Sequence, residues 1–217
     1  MTMLTRTRGV VLGLAGLSLA ACGAVHPGSA AVVDGTTISM RTLDRTATAY
    51  CTLTASTARQ QGITTVSNAD VRRQAIVGLV SLRVARDLAA KEDVTVSASD
   101  YELTASQREQ LASAFPGSDG DDLAEAIEDS QEVSAIAVAL AEKRSNQQAT
   151  TENEAQFAEL GQNEILKAFA DSDVSFAPRF GLAPDGTQRS ATGSISVTPV
   201  DLEAPVDEEL PSALRCS

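Results

Sequence analysis

From Ala69 to Lys91 the chain stays apolar round most of a helix. Val71, Ala75, Leu79 and Leu82 recur at the spacing of one helix face, and Val77, Val84 and Leu88 widen it. Arg72, Arg73, Arg83 and Asp87 leave only a narrow polar stripe. A helix with so little polar surface must be wrapped by other elements, so this stretch predicts the centre of a helical bundle. Ser67 or Asn68 is placed to cap its start. The rest of the chain agrees. It has no tryptophan, and aromatic residues make up 3% of it, so the core is built from Leu, Ile, Val and Ala. Such a core suits packed helices better than a β-sandwich, which draws on aromatic and β-branched residues.

Four further helices follow from the same periodicity. Ser39 caps a first helix, with Leu43, Ala47, Tyr50 and Thr54 on one face and an end near Gly62. A third begins at a cap on Ser97 or Ser99 and runs to about Ala114. "FPGSDGDD" then breaks the chain. Asp122 is expected to cap a fourth helix over Leu123 to Arg144. It turns Leu123, Ile127, Val133, Ala137 and Leu140 inward and Glu125, Glu128, Glu132 and Lys143 to solvent. A fifth covers Glu152 to Asp171, with Phe157, Gly161, Ile165 and Ala168 on its apolar side.

Strand patterns sit at the two ends of this helical chain. Ala31-Val32-Val33 and Thr36-Thr37-Ile38 flank Asp34-Gly35, a pair that tolerates the positive φ of a type I′ hairpin turn. Val174, Phe176 and Pro178 alternate with smaller or polar residues, as in an edge strand. Pairing Val32-Val33 with Val174–Phe176 makes one small sheet that brings the ends of the bundle together. The expected fold is therefore mainly α: about five helices and a small sheet joining N- and C-terminal strands. The helical domain is expected over residues 31–181. An extended acidic tail follows over 182–217, mostly loop, with a brief strand at Ser194–Thr198.

Residues 1–21 read as an export signal, with Arg6 and Arg8 before an apolar run too short to span a bilayer. Leu19-Ala20-Ala21-Cys22 has the form of a bacterial lipobox, with Cys22 as the lipidation site. Two or three palmitoyl-type chains there, at about 0.8 kcal/mol per buried methylene, anchor a protein stably to the outer face of the cell membrane. Residues 22–30 then form a short tether, which holds the only histidine, His26. Two arginines leave with the signal, so the formal charge moves from -12 to -14. That balance excludes nucleic acid held by phosphate contacts. It also leaves the lipid, not a basic patch, as the only membrane attachment.

Cysteine arithmetic follows from the address. With Cys22 lipidated, Cys51 and Cys216 remain, and an exported chain tends to pair two such thiols. The alternative is two free thiols, one in the first helix and one on the tail. No Cys-x-x-Cys redox pair is present.

The chain also resembles a known family. "AAVVDGTTIS", followed by a helix with Leu43 four residues after Ser39, is similar to the opening of the SurA N-terminal domain. "VTVSASDYEL" resembles that family's entry to its third helix, and "VSFAPRFG" an ending seen in actinobacterial lipoproteins of this type. The resemblance covers about Ala30 to Gly181. SurA- and PrsA-type chaperones normally carry a parvulin isomerase domain, for which this chain has neither the length nor the histidines. The resemblance therefore implies binding of unfolded exported polypeptides in apolar grooves, without isomerase activity.

Three function classes can be weighed. A lipid-anchored, chaperone-like protein needs reachable apolar surface, which Val77, Val80, Val84 and Leu88 of the second helix would supply as client contacts. A scaffolding lipoprotein would instead bind one dedicated envelope protein. An enzyme finds little support, and no catalytic residues, metal ligands or cofactor are assigned. Glu125, Glu128, Asp129 and Glu132 read as a solvated helix face. "GSDGDD" lacks the twelve-residue loop and terminal Glu of a calcium-binding EF-hand.

Overall fold

The computed structural model describes residues 27–189 and 211–216. Five α-helices form the body: α1 (Met40–Gln60), α2 (Asn68–Lys91), α3 (Ala105–Ala114), α4 (Gly120–Ser145) and α5 (Glu154–Asp171). Strands β1 (Ser29–Val33), β2 (Thr36–Ser39) and β3 (Val174–Phe176) make one antiparallel sheet in the order β2-β1-β3. The export signal, Cys22, His26 and the strand expected at 194–198 lie outside the described residues.

The expected pairing of the chain ends is present. Ala31, Val32 and Val33 oppose Phe176, Ser175 and Val174. Asp34 and Gly35 have φ of 46° and 81°, as a type I′ turn requires. Asp34 also joins the clasp from outside the ladder. Its N–H donates to the Asp173 carbonyl at 3.0 Å, and the Asp173 N–H donates to its carboxylate at 2.9 Å. β1 is central and lies on α2, so Ala30, Ala31 and Val33 are fully buried beside Leu43, Ala75, Ile76 and Val80. Burying a side chain of the size of Leu43 or Ile76 stabilises the fold by about 1.5–3 kcal/mol.

Helix starts follow the capping chemistry in most places. The Ser39 hydroxyl accepts from Thr42 N–H at 3.0 Å, and the Ser67 hydroxyl from Asp70 N–H at 3.4 Å. Threonine is a modest helix former, yet α1 is rich in it. Thr46, Thr48, Thr52 and Thr57 each donate to the carbonyl four residues back, so their hydroxyls stay satisfied on the helix.

Four boundaries differ from expectation. The third helix is not continuous: a single 3₁₀ turn at Ala98–Asp100 comes first, and α3 starts afresh at a Thr104 cap. Gln107 accepts from Thr104 N–H while Thr104 accepts from Gln107 N–H, a reciprocal box, and Ser97 forms one of its own with Asp100 that caps only the 3₁₀ turn. The fourth helix is capped by Asp119, not Asp122, because only Asp119 accepts from the first free amides, those of Asp121 and Asp122. The tether ends two residues early, since Ser29 and Ala30 are buried in β1 and the Ala30 carbonyl accepts from Ala177 N–H at 2.9 Å. The ordered body also runs past 181. Leu182 is buried in the core, Leu182 bridges Gln188, and the Arg189 N–H donates to the Gly181 carbonyl.

The tail returns at residues 211–216. Cys51 and Cys216 are disulfide-bonded, with their Cα atoms 5.1 Å apart. The Cys216 N–H donates to the Val66 carbonyl at 2.9 Å, and Arg215 bridges Ser67. Helices α4 and α5 approach closely at Gly161, where any Cβ would lie 1.7 Å from the Ala137 carbonyl oxygen.

Candidate functional site

The four residues singled out on the second helix do not share one accessible face. Val80 and Val84 are 0% and 2% exposed, inside the core. This corrects their expected role as open client contacts: the sheet and the segment after β3 cover the broad apolar side of α2. Val77 is half-buried and packs towards Gly186. Leu88 is half-buried against the cluster that joins α2, α4 and α5.

One of the four, Leu88, opens on a groove, with buried Val84 beneath it. Val84 and Leu88 line a depression of about 400 Å³ between α2, α5 and the hairpin turn, together with Ala168. Its charged lining combines the cations Lys91, Arg144 and Lys167 with the carboxylates Asp34, Asp87, Glu164 and Asp171. Asp87 pairs with Arg83 at 2.7 Å and Glu164 with Arg144 at 3.1 Å. Lys91 and Lys167 have no ion-pair partner among the described residues. The result is a short apolar floor with charges of both signs at its edge.

A second concavity lies at the junction of α1, α2, α4 and α5. It measures about 290 Å³ and is lined by Tyr50, Ser81, Asp129 and Gln162, with Ser130 and Ser134 at its exposed mouth. Gly78 makes room for it. A Cβ there would lie 3.1 Å from the Tyr50 hydroxyl, so the glycine admits the phenol between α1 and α2. A mid-helix glycine costs about 0.5–1 kcal/mol relative to alanine.

The acidic face of α4 is only partly the solvated surface that its spacing suggests: Glu125 is exposed, but Glu128, Asp129 and Glu132 are drawn inward. Glu132 is 8% exposed and takes a two-pronged ion pair from Arg86 at 2.8 and 2.5 Å. Glu128 accepts from Arg108 at 2.6 Å and from Leu103 N–H at 2.7 Å, fixing the turn before α3. Asp129 is left with a 3.7 Å approach from Arg86. Burial, helped by Glu125, Glu132 and Glu128, outweighs the pull of Arg86 and holds its carboxyl up at about 6. Burial also raises Tyr50, with Asp129 adding to the effect. A helical wheel cannot show this, because the arginines that recruit these carboxylates sit on α2 and α3.

The sign of the Asp129 effect follows from linkage. A carboxyl whose folded pKa exceeds its unfolded value of 3.8 binds protons more tightly when folded. Its stabilising contribution is full below that value and is lost as pH rises to about 6. Asp129→Asn is therefore expected to raise stability at pH 7 by about 2 kcal/mol. A tenfold change in proton affinity corresponds to about 1.4 kcal/mol, and solvent at the cleft mouth screens part of the effect. Urea titrations at pH 7 and pH 4 check this: the gain disappears at pH 4, and a variant less stable at pH 7 contradicts it.

Comparison of the chain with family models, with curated proteins and with solved structures finds no match. Among the described residues no helix is long and apolar enough to cross a membrane.

Proposed function

We propose that this is a lipid-anchored protein of the outer face of the cell membrane, attached through Cys22, that binds segments of exported polypeptides without chemistry of its own. The observation that carries the reading is the groove beside α2. Leu88 and Ala168 give it a small apolar floor, and Lys91 and Lys167 supply cations without ion-pair partners among the described residues at its edge. An extended segment with an apolar residue and an acidic neighbour matches that lining. The resemblance to the SurA N-terminal domain supports the same class, a chaperone-like protein without isomerase activity.

One observation favours the alternative of a single dedicated envelope partner. With Val80 and Val84 packed inward, the groove takes only a short segment, whereas a general holdase presents a long apolar surface. An aggregation assay separates the two. An unfolded exported protein is diluted into buffer with and without the chain lacking residues 1–22, and light scattering is followed. Suppression at near-equimolar protein, weakened by Leu88→Glu, is expected for the chaperone-like reading. No suppression with any of several unrelated unfolded proteins moves the function to one partner, to be found by crosslinking from Lys91 or Lys167.

A further inference from the structure

Three arginines stand where the chain enters the folded body. Pro27 and Gly28 are exposed there, and the Met40 N–H donates to the Gly28 carbonyl at 2.8 Å, which places Arg41 one residue away in the first turn of α1. On the other side of β1 the Ala177 N–H donates to the Ala30 carbonyl at 2.9 Å. The 3₁₀ turn that follows carries Arg179 between exposed Pro178 and buried Phe180. Arg189 is fixed beside that turn by its N–H on the Gly181 carbonyl at 2.8 Å. All three side chains are exposed, and none has a hydrogen bond or ion pair among the described residues. By contrast, every arginine of α2 and α3 holds a carboxylate. The carboxylates close by in sequence are taken: Asp44 pairs with Arg72 at 2.6 Å, and Asp185 accepts from Thr187 at the far end of the turn that Leu182 and Gln188 close.

Fold stability does not explain these positions. No acidic residue accompanies Arg41 in the first turn of α1, where the helix dipole disfavours a cation. Dipole and guanidinium groups instead add to one positive surface on an acidic chain. The negative total points to the lipid as the only membrane contact, but a total does not show placement. The next step rests on attachment through Cys22. Six peptide units join Cys22 to Gly28 and span at most about 22 Å. An anchored chain therefore keeps this end of β1 nearest the bilayer and turns the groove at Asp34 away from it. We infer that this end of the sheet rests on anionic phospholipid headgroups, with Arg41, Arg179 and Arg189 on their phosphates. The lipid holds the protein, and the arginines set which way it faces. Guanidinium suits this role, because its planar fork of N–H donors matches phosphate oxygens. Carboxylates at the hairpin end of β1 stand about 17 Å further out, beyond a Debye length of about 8 Å, so their repulsion is screened.

The test gives the chain a weak anchor. The protein lacking residues 1–21 is coupled at the Cys22 thiol to one myristoyl chain through a maleimide, with Cys51 and Cys216 left bonded to each other. A single such chain binds bilayers marginally and reversibly, so a second contact shows in the partition. Vesicles of phosphatidylcholine are compared with vesicles of phosphatidylcholine and phosphatidylglycerol in equal parts, at about 0.1 M salt. Each cation near an anionic surface strengthens binding about fivefold, and repulsion from the rest of the chain offsets part of this. The parent is therefore expected to bind the anionic vesicles about tenfold more tightly, a preference lost in about 1 M salt. Replacing the patch by Arg41→Gln, Arg179→Gln and Arg189→Gln together is expected to abolish the preference with an unchanged thermal melt, and Arg41→Gln alone to reduce it about two- to threefold. Arg59→Gln, Lys91→Gln and Lys143→Gln together remove the same charge from the far ends of α1, α2 and α4 and are expected to keep it. Equal or weaker binding of the parent to the anionic vesicles overturns the inference, as does a preference that survives loss of the patch. So does an equal loss in both triple variants, which makes the effect one of net charge. The coupling supplies the anchor chemically, so these outcomes do not depend on lipidation in cells. That reading is tested separately, by the mass of the N-terminal peptide from the membrane fraction of producing cells.

Discussion

Gly161→Ala is expected to be among the most damaging single-methyl additions this chain can receive. Small residues are usually interchangeable inside helices, and alanine is the better helix former by about 1 kcal/mol. At Gly161 that gain is overwhelmed. The new Cβ would lie 1.7 Å from the Ala137 carbonyl oxygen, 2.3 Å from its carbonyl carbon and 2.6 Å from its Cα. All three obstacles are backbone atoms, so no rotamer change clears the space. Helices α4 and α5 must move apart, and Ile136, Ala137, Leu140 and Ile165 lose the packing that joins them to α2. Overpacking of a rigid site costs about 1–3 kcal/mol and sometimes more. A net loss of about 3 kcal/mol is expected here, which lowers the Tm of a chain this size by roughly 6–12 °C. Gly120→Ala is the control: its Cβ meets nothing nearer than 3.8 Å, and its melt is expected to match the parent. Equal melting of Gly161→Ala and the parent would show that α4 and α5 separate freely.

The contrast between these two glycines shows what a sequence makes legible. Gly161 reads correctly as part of the apolar side of α5, but nothing in its neighbours tells that another helix's backbone presses on it. Local rules are enough for the hairpin, for the Ser39 and Ser67 caps and for the pairing of β1 with β3. In each case the signal lies within a few residues or follows from matching two short strands. Local rules fail where a distant partner decides. Glu128, Asp129 and Glu132 have the spacing of a solvated face, yet Arg86 and Arg108 on other helices draw the two glutamates inward and leave Asp129 at the edge of a cleft. Val80 and Val84 belong to an apolar stripe wide enough to suggest open surface, but the sheet covers them. Thr104 is hidden as a cap because Ser97 and Ser99 stand first in the same polar stretch, and the break between them depends on Glu128 holding Leu103. The candidate groove is half legible: Val84 and Leu88 stand out on the helix, but Lys91, Lys167 and the hairpin turn join them only in three dimensions.

Cys51→Ser is expected to produce the other large loss, and by a different route. The bond between Cys51 and Cys216 spans 165 residues, almost the whole folded chain. In the chain-entropy model, closing a loop of that length restricts the unfolded state by roughly 5 kcal/mol, and removal of a native bond of this kind typically costs about 2–5 kcal/mol. The folded state contributes as well. Without the bond, the Cys216 N–H on the Val66 carbonyl and the Arg215–Ser67 bridge must hold the last residues alone, and such terminal pairings fray readily. The β1–β3 ladder is independent of this and is expected to persist. Cys51→Ser should therefore unfold at lower denaturant concentration with a steeper dependence on denaturant, because its unfolded state is more expanded. The parent chain under a strong reductant should behave in the same way. Deletion of residues 211–217 from the Cys51→Ser variant should change stability little further, since the lost constraint is the loop closure and not the tail's own contacts. A large second loss on that deletion would instead place the stabilisation in the packing of the tail against α1 and the segment before α2.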